Sequence, residues 1–143
     1  MTVHVTSSEA ETAAVGRDLA RRLGPGAVVL LEGALGAGKT AFARGLAEGL
    51  GADGDAVSSP TFTIVQQYAG RVTLQHIDLY RLNPAEVDDL GLDDLMDGSV
   101  LAVEWPDRWR SRPDDAVSVT IEVLGATERR ISVRQWGNEA MGQ

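Results

Sequence analysis

A glycine-rich segment between a short apolar run and an apolar helical pattern constrains this chain more than any other feature. Residues 27–32 are apolar up to a final glutamate and do not alternate, which is typical of a buried strand in a parallel sheet. The segment GALGAGKT follows at 33–40, and residues 39–50 then show helical spacing that Gly51 ends. A buried strand that passes through a glycine loop into a helix predicts an α/β fold with parallel strands at its centre.

Residues 33–40 match the pattern G-x-x-x-x-G-K-[ST] at every fixed position. Gly36 and Gly38 can adopt backbone angles closed to other residues, so that successive N–H groups point at one anion. The helix start adds its positive end, Lys39 adds a full charge for the outer phosphates, and the Thr40 hydroxyl suits Mg²⁺. The dinucleotide pattern G-x-G-x-x-G does not fit this run. The segment therefore predicts a nucleoside triphosphate site with Mg²⁺ in preference to an ordinary glycine-rich turn.

Three side chains outside this loop are candidates for the chemistry performed on the nucleotide. Glu104 ends a second buried run, where a strand parallel to the first would deliver it to Mg²⁺; the alternative is a carboxylate that faces solvent. Asp78 ends the strand QHID, where it is suited to orient a water, or else it is a cap or surface charge. Thr61 in SSPTF is equally a switch-loop contact or a turn residue. His76 is predicted to be a core histidine.

The rest of the chain supplies further helices and strands. Ser8 with Glu11 fits a capping box, and Asn83 followed by Pro84 opens a short helix. Strands are predicted at 3–5, on both sides of Ala69-Gly70, at 99–104, at 117–123 and at 130–135. The predicted fold class is α/β, a P-loop NTPase-like three-layer sandwich whose central mixed sheet has a parallel core and antiparallel additions.

Length, charge and cysteine content narrow the possible functions. The 143 residues predict one domain, residues 1–136, with a flexible tail at 137–143. The lack of cysteine excludes disulfides, thiolate catalysis and cysteine-based zinc sites. A formal net charge of −8 argues against a broad electrostatic grip on nucleic acid. No segment resembles a signal peptide or a membrane span, so we expect a cytoplasmic protein without membrane contact.

Two groups of residues near the end of the chain have less specific patterns. An arginine-rich loop with Arg108, Arg110 and Arg112 is either a lid over phosphates or a solvated loop. The three tryptophans are expected to pack in the core or on the surface rather than to contact another protein: Trp105, Trp109 and Trp136.

Four stretches, in this order and spacing, resemble the bacterial TsaE (YjeE) family of tRNA threonylcarbamoyladenosine biosynthesis proteins: LEGALGAGKTAFARGLAEGLG, VSSPTFTIVQQY, HIDLYRL and VEWPDR. The resemblance covers roughly residues 6–136, and the combination is specific where a phosphate loop alone would not be. It implies a small cytoplasmic P-loop ATPase that uses ATP and Mg²⁺. It also implies a role in the threonylcarbamoyl modification of the adenosine beside the tRNA anticodon. The implied partners are TsaB and TsaD: TsaD performs the transfer, and the ATPase, slow alone, binds their complex.

The resemblance also assigns roles to individual residues. Lys39 matches the phosphate lysine, and Thr40 and Glu104 match the Mg²⁺ ligands. Asp78 matches the aspartate tied to hydrolysis, and Thr61 matches a switch-like threonine, so these two and Lys39 form the expected catalytic set. The expected nucleotide-binding residues are Glu9, Thr12, Gly33, Gly36, Ala37, Gly38, Lys39, Thr40, Ala41 and Arg130.

Two other functions stay open at this point. A small P-loop kinase would need a second pocket and an acceptor domain, for which the chain leaves little length. A nucleotide-dependent regulator would bind ATP without meaningful hydrolysis. Direct contact between tRNA and the isolated protein is not expected, because the chain carries a net negative charge.

Overall fold

The computed structural model describes residues 1–57 and 64–135 of the chain. Within these ranges the helices and strands follow in the order β1 Thr2–Thr6, α1 Glu9–Ala20, β2 Val28–Glu32, α2 Lys39–Gly49, β3 Val65–Tyr68, β4 Thr73–Asp78, α3 Pro84–Asp88, α4 Leu92–Leu95, β5 Ser99–Glu104, β6 Val117–Val123 and β7 Arg129–Gln135. The elements predicted in these ranges agree closely with those observed. Thr61, Trp136 and the tail at 137–143 lie outside the described residues, so the division into a domain and a tail stays a prediction.

The described strands form a seven-stranded sheet in the order β1-β7-β6-β2-β5-β4-β3. Strands β6, β2, β5 and β4 run parallel to one another. Strand β3 is antiparallel to β4, β7 is antiparallel to β6, and β1 is antiparallel to β7. The predicted mixed sheet, with a parallel core and antiparallel additions, is confirmed.

Helices pack on both faces of this sheet. On one face, Leu46 of α2 belongs to a core cluster with Val29 of β2 and with residues of α1. Leu46 is fully buried, and burying such a side chain contributes about 1.5–3 kcal/mol to stability. On the other face, Val87 of α3 and Leu92 of α4 join a second cluster with Val103 of β5. The arrangement confirms the predicted three layers.

Local signals account for the starts of two helices. The Ser8 hydroxyl accepts the Glu11 N–H at 3.1 Å, as the capping-box pattern predicts, although the Glu11 carboxylate accepts the N–H of Ser7. Asn83 and Glu86 form the full reciprocal box at the start of α3. No helix in the described part of the chain is both long enough and apolar enough to span a membrane.

Helices α1 and α2 approach each other so closely that glycine is required at their contact. A Cβ at Gly45 would lie 1.9 Å from the carbonyl oxygen of Ala13, and one at Gly16 would lie 2.4 Å from that of Phe42. Neither position can accommodate a Cβ atom, because the atoms that it would overlap belong to the backbone and cannot rotate away. The contact fixes α2, and with it the glycine loop that precedes it.

Candidate functional site

The glycine loop has the backbone geometry that its sequence predicts. Gly38 is the N-cap of α2 and has φ 116°, in the left-handed region that favours glycine. A Cβ at Gly33 would lie 2.9 Å from the carbonyl oxygen of Ile121, so the loop also passes close to β6. The first N–H groups of α2 have no acceptor within the helix and carry the positive end of its dipole. The loop and the helix start together form a site suited to an anion.

Lys39 is the only lysine in the sequence, and it is 5% exposed. Its ammonium group donates to the carbonyl oxygen of Gly33 at 2.8 Å. The same nitrogen lies 3.7 Å from Oε1 of Glu104 and 4.3 Å from the ring centroid of Trp105. A buried ammonium group requires such partners, because burial without them is costly. The predicted phosphate lysine therefore lies inside the loop, against a carboxylate.

The carboxyl ends of three neighbouring strands meet beside Lys39. In the sheet register, Glu104 of β5 lies opposite Leu31 of β2 on one side and opposite Asp78 of β4 on the other. Glu104 is 5% exposed, and its Oε2 is 2.7 Å from Nε2 of His76. The structure thus brings the predicted residues Lys39, Asp78 and Glu104 to one edge of the sheet.

Asp78 is half-buried, and one of its carboxylate oxygens is already engaged. Its Oδ1 accepts the N–H of Tyr80 at 2.9 Å. Burial raises the pKa of the Asp78 carboxyl above its ordinary value, and the nearby charge of Glu104 acts in the same direction. The Tyr80 N–H and the positive charge of Lys39 oppose this shift. A carboxylate with a raised pKa is a better proton acceptor near neutral pH.

Trp105 contributes to the site in a way that the sequence did not reveal. It has φ 59°, and it is the one non-glycine residue with positive φ among the described residues. Such a backbone costs about 1–3 kcal/mol and clusters at functional sites. The turn brings the ring to the Lys39 ammonium and within 4.9 Å of the ring centroid of Tyr80. The one sequence signal for a Trp105 contact with the site is its position directly after Glu104. Trp109, in contrast, is buried in the core as predicted.

A cavity of about 190 Å³ lies next to the glycine loop, between the start of α1 and the β6–β7 turn. Thr12 is buried in its wall, with its hydroxyl oxygen 2.8 Å from that of Thr6. The cavity brings together these expected nucleotide-binding residues: Glu9, Thr12, Gly36, Gly38 and Ala41. The N-terminal segment and the loop therefore form one continuous site.

The structure does not bring Arg130 to this cavity. Its Nη1 lies 3.5 Å from Oε2 of Glu122, on the sheet face away from α1 and α2. Ile131 faces the core beneath α1 and α2, so strand alternation turns Arg129 to that side and Arg130 to the other. Arg129 lines the cavity, and its Nε donates to the carbonyl oxygen of Ala37 at 2.8 Å. Arg129 rather than Arg130 therefore lies at this cavity, as the alternation of β7 could have predicted. The expected contact between Arg130 and the nucleotide stays a prediction.

The arginine-rich loop has local structural contacts. Arg108 donates to backbone carbonyls directly after β4. Arg110 pairs with Asp88, and Arg112 donates to the carbonyl oxygen of Trp109 at 3.0 Å. These contacts attach the loop to neighbouring segments, while Arg110 and Arg112 remain exposed to solvent.

The residues at the sheet edge suit a magnesium ion that is also held by phosphates. Within residues 1–57 and 64–135, no group of three or more His, Cys, Asp or Glu side chains is arranged to hold a metal. Mg²⁺ typically takes one or two protein oxygens together with substrate phosphates and water. Thr40, the second residue of α2, and the buried carboxylate of Glu104 supply oxygens of this kind. The chemistry of this pair fits the ion.

Comparisons with known proteins find similarity over most of the chain. A family model described as "Threonylcarbamoyl adenosine biosynthesis protein TsaE" matches residues 6–131. The tRNA threonylcarbamoyladenosine biosynthesis protein TsaE of Treponema pallidum is 42% identical over 132 residues, which cover 90% of this chain and 97% of that protein. The protein of the same name from Bacillus subtilis is 42% identical over 136 residues, which cover 93% and 85%.

A solved structure shows the same fold. The crystal structure of Bacillus subtilis YdiB aligns with a TM-score of 0.80 at 35% identity, over 99% of this chain and 89% of that one. The family expected from the sequence motifs and the P-loop NTPase-like fold are both confirmed. The chain belongs to the TsaE family of threonylcarbamoyl adenosine biosynthesis proteins.

Proposed function

We propose that this chain binds ATP with Mg²⁺ and hydrolyses it in the formation of threonylcarbamoyladenosine in tRNA, acting with TsaB and TsaD in the cytoplasm. The observation that carries the proposal is the convergence of Lys39, Glu104 and Asp78 beside the start of α2. A phosphate loop alone would leave the reaction open. Two carboxylates and a buried lysine at the same edge supply groups for metal binding and for activating water.

Each part of the site has a task in this proposal. The N–H groups of the loop and the start of α2 bind the phosphates, and Lys39 exchanges its contact with the Gly33 carbonyl for a phosphate oxygen. Thr40 and Glu104 hold Mg²⁺, which neutralises charge that develops on the outer phosphates. The cavity between α1 and the β6–β7 turn accommodates the nucleoside.

Asp78 is the proposed proton acceptor for the attacking water. The Tyr80 N–H fixes its Oδ1, which leaves Oδ2 to bind that water. Its raised pKa favours acceptance of the proton. Thr61, which lies outside the described residues, keeps its predicted role as a switch-like contact to the outer phosphate.

Phosphate release measured with and without TsaB and TsaD tests this function. The parent is expected to release phosphate slowly alone and faster with the two proteins. In a reaction mixture that forms threonylcarbamoyladenosine over repeated cycles, omission of this chain should stop product formation. Co-purification of TsaB and TsaD with the chain should depend on ATP. Rapid phosphate transfer to a small acceptor by the isolated chain would instead identify a kinase. Binding of ATP with no release under any condition would identify a regulator.

A further inference from the structure

His76 makes a buried contact that packing alone does not explain. It is fully buried on β4, and its Nε2 lies 2.7 Å from Oε2 of Glu104 on the neighbouring strand. An apolar side chain would fill this position without the cost of burying an imidazole ring. It would also leave the largely buried carboxylate of Glu104 without this donor.

The contact determines which way the Glu104 carboxylate faces. His76 holds Oε2, while Oε1 lies 3.7 Å from the ammonium nitrogen of Lys39, at the glycine loop. The two oxygens therefore have separate partners, one inside the sheet edge and one at the candidate phosphate site. Without His76, rotation of the carboxylate would be restrained from the loop side alone.

The surroundings of the other ring nitrogen, Nδ1, indicate that Nε2 is the hydrogen-bond donor. Within the described residues, Nδ1 of His76 has no hydrogen-bond partner. A buried N–H without an acceptor is costly, so the proton belongs on Nε2, where the carboxylate accepts it. The imidazole is then a fixed donor to Glu104.

We infer that His76 is a positioning residue: it orients the Glu104 carboxylate for Mg²⁺, and this orientation sets how strongly Mg²⁺ supports ATP binding. The inference rests on the proposed function, which assigns the metal to Glu104. Partners that orient metal ligands typically contribute 10- to 100-fold to metal affinity.

Three substitutions at His76 separate orientation from packing. In His76→Gln the amide nitrogen reaches the position of Nε2, in His76→Asn it reaches that of Nδ1, and His76→Leu has no donor. Gln75→Leu is the matched control, because Gln75 is a buried polar residue on the opposite face of β4 that contacts Ser99. Binding of a fluorescent ATP analogue is measured in EDTA and across a Mg²⁺ titration, with circular dichroism to check folding.

The expected pattern distinguishes the variants. His76→Leu and His76→Asn should require roughly 10- to 100-fold more Mg²⁺ for half-maximal stabilisation of binding, with unchanged binding in EDTA. His76→Gln and Gln75→Leu should follow the parent. If His76→Leu does not fold, the Mg²⁺ titrations of His76→Asn and His76→Gln alone test whether the donor at the Nε2 position matters.

Two results would overturn the inference. One is a Mg²⁺ titration of folded His76→Asn that matches the parent. The other is an equal loss of binding in EDTA for all three His76 variants, which would assign the residue to packing. A parent that binds no ATP would contradict the proposed function itself, and this inference with it.

Discussion

At the scale of single residues, the two carboxylates at the sheet edge have different surroundings and so different expected roles. Glu104 is almost fully buried between His76 and Lys39, whereas Asp78 is half-buried and keeps one oxygen free of the Tyr80 N–H contact. A buried, oriented carboxylate suits a metal ligand, and a half-exposed one with a raised pKa suits contact with water.

Substitution should separate these roles. Glu104→Gln is expected to weaken Mg²⁺-dependent ATP binding. Asp78→Asn should leave binding nearly intact and slow hydrolysis by about 10²- to 10⁴-fold, the usual contribution of a general base. Binding isotherms and single-turnover phosphate release measure the two effects. Equal losses of binding in both variants would contradict the division.

The raised pKa of Asp78 also predicts a dependence of stability on pH. The folded state disfavours the ionised carboxylate, so stability is fully present below the ordinary carboxyl pKa and is lost as pH rises through the higher, folded-state pKa. Asp78→Asn should therefore melt at a higher temperature than the parent at neutral pH, and the difference should shrink as the solution is acidified. The exposed Asp114→Asn is the control and should show no such trend. A lower melting temperature for Asp78→Asn at neutral pH would exclude this interpretation.

At the scale of helices and strands, the close contact between α1 and α2 holds the glycine loop in place. The substitution Gly45→Ala would bring a methyl group to 1.9 Å from the carbonyl oxygen of Ala13. Neither backbone can move without shifting a whole helix, so we expect a loss of about 1–3 kcal/mol of stability or more. Gly24→Ala is the matched control, because nothing lies within 4 Å of its added Cβ. Urea unfolding measures both, and equal midpoints would refute the close packing.

Sequence patterns predicted these elements where the signal was local. The Ser8 and Asn83 caps, the glycine loop and the apolar strands each depend on residues close in the chain. The pairing of His76 with Glu104 depends on β4 lying beside β5, which local periodicity does not specify. The left-handed backbone of Trp105 likewise has no signature in a tryptophan.

At the scale of the whole molecule, the net charge disfavours RNA binding, while the local charge at the glycine loop favours a nucleotide. The net charge of −8 repels a phosphate backbone, whereas the N–H groups and the one lysine of the glycine loop are suited to a single phosphate group. Arg108, Arg110 and Arg112 are engaged in contacts within the chain. In the proposed function, we therefore expect other proteins of the assembly, rather than this chain, to hold the tRNA.

The isolated chain should accordingly bind tRNA no better than about 0.1 mM at roughly 150 mM salt, the weak end of non-specific binding. Fluorescence anisotropy of labelled tRNA measures this. A low-micromolar, salt-sensitive complex that is lost on neutralising Arg108, Arg110 and Arg112 would show that the chain contacts RNA itself.

The measurement that tests the account most directly is calorimetric titration of Mg-ATP into the parent, Lys39→Met and Arg22→Met. Both substitutions remove one positive charge, but Arg22 is exposed and lies outside the site. The parent and Arg22→Met should bind alike. Lys39→Met should bind roughly 10- to 100-fold more weakly, the value of a charged hydrogen bond of about 1.5–3 kcal/mol. Equal ATP affinity in the parent and Lys39→Met would contradict the assignment of the glycine loop as the phosphate site.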